Sequence, residues 1–197
     1  MMMKLYVATK NQHKLKEIRE ILEGVEVESA FDQIDKDFDV EETESTFLGN
    51  ASLKARKLSQ MVDGYVIADD SGISVDILGG SPGVYSARFA GENATDADNN
   101  NKLMKMMEPV RDEDRGASYI CVIALAKNGV IERTFSGLCE GFIAREFKGD
   151  GGFGYDVMFK LPDGRHMAEI SAEEKNRISH RFMALQSLKE YLDNKEE

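Results

Sequence analysis

Cysteine is scarce in this 197-residue chain: Cys121 and Cys139 are the only two, and neither belongs to a C-x-x-C or a histidine-spaced pair. That spacing argues against a zinc site, and the apolar, strand-like surroundings of both predict buried reduced thiols over a disulfide. Long apolar runs are missing too. No N-terminal stretch has the length of a secretion signal and no window approaches a transmembrane span, so a cytoplasmic protein with no membrane role is expected. Positive charge is in deficit, with a net charge of -11, which argues against a protein that works by neutralising a nucleic-acid backbone. No G-x-x-x-x-G-K-[ST] loop occurs, so a Walker-type phosphate cradle is not implied. The length suits one substantial core, or two lobes sharing a sheet, and a single domain over 1–197 is expected.

What is present centres on Tyr65-Val66-Ile67-Ala68-Asp69-Asp70-Ser71-Gly72, an apolar run that ends in two adjacent carboxylates, a hydroxyl and a glycine. Neighbouring negative charges repel and are costly to desolvate, so Asp69 and Asp70 must face water, bind a cation, or have one of them take up a proton. An Asx-type turn is the plainer account. Beyond it Ile73, Val75 and Ile77 alternate with Ser74 and Asp76, which predicts a second half-buried strand to Leu78 and sets the carboxylates at a junction between two strands. Hard oxygen ligands on such a frame suit Mg²⁺.

Upstream, Lys4 to Ala8 reads as a strand running into Thr9-Lys10-Asn11-Gln12-His13-Lys14. A helix follows, with Leu15, Ile18, Ile21 and Leu22 at helical spacing and Gly24 as its stop. Thr9, Asn11 and the backbone N–H groups at that helix start would attract an anion, with Lys14 adding a point charge; a capped helix with an exposed lysine fits as well. The acidic connector Asp32 to Glu44 leads to a helix capped by Ser45 or Thr46, with Phe47, Ala51, Ala55 and Leu58 on one stripe and Asn50 and Lys54 on another. Glu41 and Glu42 are both candidates for a second metal carboxylate, and periodicity does not choose between them.

The glycine-dense segment Gly79 to Arg88 precedes a helix over Asp96 to Met107. Ala117 to Lys127 reads as a core strand covered on both faces, Asn128-Gly129 as a hairpin turn, Val130 to Ser136 as its partner, and Phe142 to Phe147 as a separate short strand. The loop Lys148 to Asp156 would display Phe153 for stacking on a base. The capping box at Ser171 to Glu174 opens one last helix, whose core stripe is Ile178, Phe182, Leu185, Leu188 and Leu192 and whose first turns carry Lys175, His180 and Arg181. Donors from His180 and Arg181 favour a ring with a keto oxygen over one with an amino group.

Taken together these blocks resemble the inosine triphosphate pyrophosphatases, hydrolases of non-standard purine nucleoside triphosphates. The likeness covers nearly the whole chain. It is carried by Thr9-x-Asn11-x-x-Lys14-x-x-Glu17, Glu41-Glu42 with Thr46-Phe47-x-x-Asn50-Ala51-x-x-Lys54-Ala55, Ala68-Asp69-Asp70-Ser71-Gly72, Gly80-x-Pro82-Gly83-x-x-Ser86-Ala87-Arg88, Gly152-Phe153-Gly154-Tyr155-Asp156 and Glu174-Lys175-x-x-x-Ser179-His180-Arg181. The resemblance implies an α/β fold in which an elongated mixed sheet and flanking helices form two lobes around a central cleft, usually in a homodimer. It also implies Mg²⁺-dependent hydrolysis of ITP, dITP or XTP to the monophosphate and pyrophosphate. Thr9, Lys10, Asn11, Gln12, His13, Lys14 and Lys54 would hold the triphosphate. Glu42 or Glu41 would hold the metal with Asp70, which with Asp69 and Lys54 forms the catalytic set, and Ser71 would touch substrate. Phe153, Gly154, Tyr155, Asp156, Lys175, His180 and Arg181 would read the base. Two positions depart from the family pattern: Val157 stands where proline is common, and Phe182-Met183 where a glycine is usual. The competing classes are a Maf-like pyrophosphatase of other base specificity and a non-enzymatic nucleotide or RNA-binding module.

Overall fold

In the computed structural model the described residues are 4–35 and 37–196, so the expected domain over 1–197 extends past them at both ends. The strands are β1 (Lys4–Val7), β2 (Glu26–Ser29), β3 (Tyr65–Val75), β4 (Gly116–Lys127), β5 (Val130–Ile143) and β6 (Phe159–Lys160). The helices are α1 (Gln12–Ile21), α2 (Phe47–Leu58), α3 (Asp96–Met107), α4 (Ala172–Ile178) and α5 (His180–Glu196). They build an α/β fold on one six-stranded sheet of order β2-β1-β3-β4-β5-β6. The sheet is mixed: β1 runs parallel to β2 and β3, and β6 antiparallel to β5.

The chain divides into two compact units, the first comprising residues through Asp70, Cys121–Gly137 and Arg181 onward, the second Ser71–Ile120 and Leu138–His180. Strand periodicity gives the first unit two cores. Leu5, Val7, Ile67, Ile123 and Leu125 point to one face, where Leu15 and Ile18 of α1 and Leu185, Leu188 and Leu192 of α5 cover them. Tyr6, Ala8, Val66, Ala68, Ala124 and Ala126 point to the other, under Ala51, Ala55 and Leu58 of α2. Alanines on both sides of that second contact let the helix approach the sheet closely. The second unit packs Ile73, Val75, Leu103, Met107, Tyr119, Cys139, Met158 and Phe159 into a single core. Its buried Arg115 donates to the carbonyls of Met107, Val110, Ile143 and Ala144, joining the end of α3 to the end of β5.

Several expectations need correction. Asp69, Asp70, Ser71 and Gly72 do not turn the chain: β3 runs unbroken through them for eleven residues, because cationic side chains meet the carboxylates and remove the need to reach water. The strand stops at Val75, and 76–78 form a 3₁₀ turn that leaves Ile77 exposed. What reads as two strands between Val130 and Phe147 is one, β5, whose alternation of buried and exposed residues continues through Ile143. Outward-facing Leu138 and Phe142 had blurred that period. Two-sided cover of β4 holds only over 123–126; before it, Ile120 and Val122 are half-buried. The C-terminal helix breaks at Ser179, whose backbone is extended (ψ 159°), and Ile178 is exposed at the end of α4. The predicted hairpin is present: Asn128 (φ 51°) and Gly129 (φ 80°) both take the left-handed conformation that a tight I′ turn requires. Both cysteines are buried and free, and burial pushes the Cys121 thiol up to about 12.

Candidate active site

Because side chains alternate along a strand, adjacent Asp69 and Asp70 leave β3 on opposite faces. Asp69 follows Ile67 toward α1 and α5, whereas Asp70 follows Ala68 toward α2. The pleat thus separates two like charges that the sequence sets side by side, and gives each its own surroundings.

Asp69 is 2 % exposed and lies in a cage of cations. Its Oδ2 is 3.2 Å from Lys14 Nζ and accepts a hydrogen bond of 3.2 Å from Arg181 Nη2. Burial alone would raise its pKa, but Lys14, Arg181 and Lys54 outweigh that and hold the carboxyl well below the usual carboxylate range. Arg181, itself 1 % exposed, also donates from Nη1 to Glu17 Oε2. Burial opposes the guanidinium charge, and Asp69 and Glu17 more than restore it. Glu17, Arg181 and Asp69 therefore form a buried ion triad linking α1, α5 and β3.

Asp70 is treated differently. It is 5 % exposed, and burial pushes its pKa up to about 6, with Lys54 opposing and Glu42 adding to the rise. Its Oδ2 is buried with no hydrogen-bond partner among the described residues. Lys54 Nζ donates to Glu42 Oε1 at 2.8 Å and to the Asp69 carbonyl at 2.7 Å, which fixes the acidic connector to β3. Burial works against the ammonium, but Asp69, Glu42 and Asp70 together raise its pKa. Asn50, fully buried one turn earlier on α2, accepts from the Glu44 N–H (3.0 Å) and donates to the Glu44 carbonyl (3.3 Å), holding the connector where Glu42 meets Lys54. Glu41, by contrast, is exposed.

A cation fits this place on the chemistry of its donors. No group of three or more His, Cys, Asp or Glu gathers among the described residues. Mg²⁺, however, takes one or two carboxylates and fills its shell with phosphate and water, and the buried, unpartnered Asp70 Oδ2 is such a donor.

Residues 9–14 sit at the start of α1. Asn11 is the N-cap, its Oδ1 accepting from the N–H groups of His13 (3.0 Å) and Lys14 (3.2 Å), and Thr9 Oγ1 accepts from the Asn11 N–H. The capped-helix account therefore describes Asn11, and those N–H groups are engaged without an anion. Lys10, Gln12 and His13 are exposed, with Lys10 3.9 Å from Asp39.

The remaining expected residues gather inside the second unit. Asp156 is buried and accepts from Tyr119 Oη, Lys175 Nζ and the Phe153 N–H. Lys175 Nζ lies 4.6 Å from the centre of the Phe153 ring, and His180 stacks on Tyr119 with ring centres 4.7 Å apart. Gly154 is anchored to α3, its N–H on Asp96 Oδ2 and its carbonyl on Asn100 Nδ2. Tyr155 is buried, its hydroxyl donating to the Ser86 carbonyl, and Ser71 is half-buried on β3. Consecutive helical residues diverge by about 100°, so His180 stacks on Tyr119 while Arg181 pairs with Asp69 and Glu17. Phe182, half-buried, packs against the first unit's core.

Sequence reasoning gave no role to Glu17 or Tyr119. Each left a signal: a carboxylate one turn after Lys14 beside the apolar stripe of α1, and a tyrosine on the inward face of a core strand, whose hydroxyl needs a partner when buried.

A mixed α/β sheet with paired carboxylates held by buried cations defines an enzyme suited to hydrolysing acid anhydrides of phosphate. The chain belongs to the Ham1 family, whose sequence model matches residues 5–191. It is 47% identical over 195 residues to the dITP/XTP pyrophosphatase of Bacillus licheniformis, covering 98% of this chain and 99% of the relative. It is 49% identical over 193 residues to that of a Thermoanaerobacter species, covering 96% of each. Among solved structures, a HAM1 protein from Coxiella burnetii superposes with a TM-score of 0.88 at 41% identity, over 98% of this chain and all 100% of that one. The Staphylococcus aureus Ham1 protein does so at 0.87 and 39%, over 98% and 99%. The resemblance read from the motif blocks, and the mixed sheet it implied, are borne out. Among the described residues no helix is long and apolar enough to cross a membrane.

Proposed function

We propose that this protein hydrolyses ITP, dITP and XTP to the nucleoside monophosphate and pyrophosphate in the presence of Mg²⁺, removing deaminated purines from the nucleotide pool. The observation that carries this reading is the unequal treatment of Asp69 and Asp70. One carboxylate is locked into a cationic triad, and its neighbour is left buried with an open oxygen. Asp70 and Glu42 are the metal ligands in this reading, Glu42 being preferred to the exposed Glu41 because Lys54 and Asn50 hold it in place. Mg²⁺ bound there supplies charge neutralisation of the departing pyrophosphate and a more acidic water. Asp69 stays ionised and orients Lys14 and Arg181, and Lys14 and Lys54 turn their charge to the triphosphate, with Thr9, Lys10, Gln12 and His13 at the same helix start. Asn11 shapes that start as its cap. Ser71 meets the substrate next to Asp70. Phe153 to Asp156, Lys175 and His180 read the purine, with Lys175 and His180 as donors suited to a 6-keto ring. The reading carries with it one functional domain over 1–197, a homodimer, and a cytoplasmic location, with which two free buried thiols agree.

Pyrophosphate release from ITP, XTP, GTP and ATP, with Mg²⁺ and then with EDTA, tests it. Expected are metal-dependent turnover favouring ITP and XTP and a loss of at least ~100-fold in kcat for Asp70→Asn. Equal release from all four nucleotides would remove the purine reading, and retention of activity in EDTA would remove the metal.

A further inference from the structure

Asp156 belongs to the loop assigned above to purine reading, yet its carboxylate already takes three donors within the unit. Tyr119 Oη donates to Oδ1 at 2.9 Å, and Lys175 Nζ and the Phe153 N–H donate to Oδ2 at 2.8 and 3.1 Å. The loop is wrapped around that carboxylate so closely that a Cβ on Gly152, which has φ 69°, would fall 2.1 Å from Asp156 Oδ2. A carboxylate so engaged holds the loop in place. One of those donors, Tyr119, stands on β4. The same side chain lies against His180, ring centres 4.7 Å apart and planes inclined by 10°. Both rings are buried.

We infer that Tyr119 is the positioning residue of purine recognition, its hydroxyl fixing Asp156 and hence the Phe153 loop while its ring sets the plane of the His180 imidazole. The inference rests on the purine-reading role proposed above and deepens it. A rigid strand residue that governs two recognition elements at once aligns them with each other, and discrimination between a keto and an amino ring depends on that alignment. A site built to hydrogen-bond one ring edge loses selectivity when its donors drift, before it loses the chemistry carried by other residues.

Tyr119→Phe deletes only the hydroxyl and keeps the stack and the packed volume; Tyr119→Leu removes both. The experiment measures kcat and KM for ITP, XTP, GTP and ATP, with Tm alongside, and titrates IMP and pyrophosphate into each protein by calorimetry. For Tyr119→Phe the ratio of kcat/KM between ITP and ATP should fall about 10-fold, through KM and with kcat on ITP within about 2-fold. IMP binding should weaken while pyrophosphate, which has no base, binds as before. Tyr119→Leu should lower the ratio further. An unchanged ratio overturns the inference. So does a uniform loss on all four nucleotides that tracks a lower Tm, since that describes a merely structural tyrosine. A wild-type protein without preference for ITP overturns the purine reading itself, which the same measurements show separately.

Discussion

Two carboxylates adjacent in sequence end up in opposite electrostatic states because one step along a strand exchanges the faces of a sheet. Asp69 is held ionised by Lys14 and Arg181, and Asp70 is pushed up to about 6 by burial. Removing a partner from the buried triad strands the other charges. Arg181→Met should therefore cost ~3–5 kcal/mol of stability, read as a lower midpoint in urea, and should lower kcat because Asp69 and Lys14 lose their frame. The Asp70 shift also has a sign that can be checked. In the folded state the carboxyl keeps its proton up to pH about 6, whereas unfolded it releases it near 3.8. Between those values the folded state binds more protons, so stability falls as pH rises through the window. In EDTA, Asp70→Asn should melt at least ~2 °C above wild type at pH 8. The gap should close as pH falls from 6 toward 4; a constant gap across that range would contradict the shift.

At the scale of elements, α2 does more than cover a sheet face. Its Thr46 cap accepts from the Gly49 N–H, its alanines approach β3, and Asn50 and Lys54 on the adjoining surface grip the acidic connector. Asn50 is the more exacting of the pair, since both ends of its amide bond the backbone of Glu44. Asn50→Ala removes both hydrogen bonds to the Glu44 backbone, a cost of about 1–2 kcal/mol, and frees the connector that presents Glu42. The expected outcome is a lower Tm together with a higher Mg²⁺ concentration for half-maximal turnover. A lower Tm with unchanged Mg²⁺ dependence would confine Asn50 to stability. The C-terminal break at Ser179 matters in the same way, because it starts α5 at His180 and turns His180 and Arg181 to different neighbours.

For the whole molecule, the net charge of -11 is compatible with a compact anionic substrate only because the cations near Asp69 are few and locally concentrated. A long polyanion gains nothing from so small a patch on an acidic surface. No retention of single-stranded RNA or duplex DNA is therefore expected at 50 mM salt, roughly the low end of the range where phosphate contacts dominate, in a filter-binding or anisotropy assay. Each compact unit carries its own hydrophobic core, and each holds one of the two polar clusters within itself.

Periodicity and end signals determined, from the sequence alone, α1, α2, α3, the I′ hairpin and the free buried cysteines, because these depend on neighbours a few residues apart; the motif blocks carried the resemblance to the family. The motif blocks also named the residues that gather on β3, α1 and α2. Tertiary structure alone decided how they are used. It continued β3 through Asp69 and Asp70, since Lys14 and Arg181 are far off in the chain and only folding brings their charge to offset the repulsion. It chose Glu42 over Glu41 as the side chain held by Lys54, by the pin that Asn50 places on Glu44. It sent Arg181 to Glu17 and Asp69, and it set Tyr119 between Asp156 and His180. Contacts of that kind have no period to read, because long-range electrostatics and packing, not local propensity, select them.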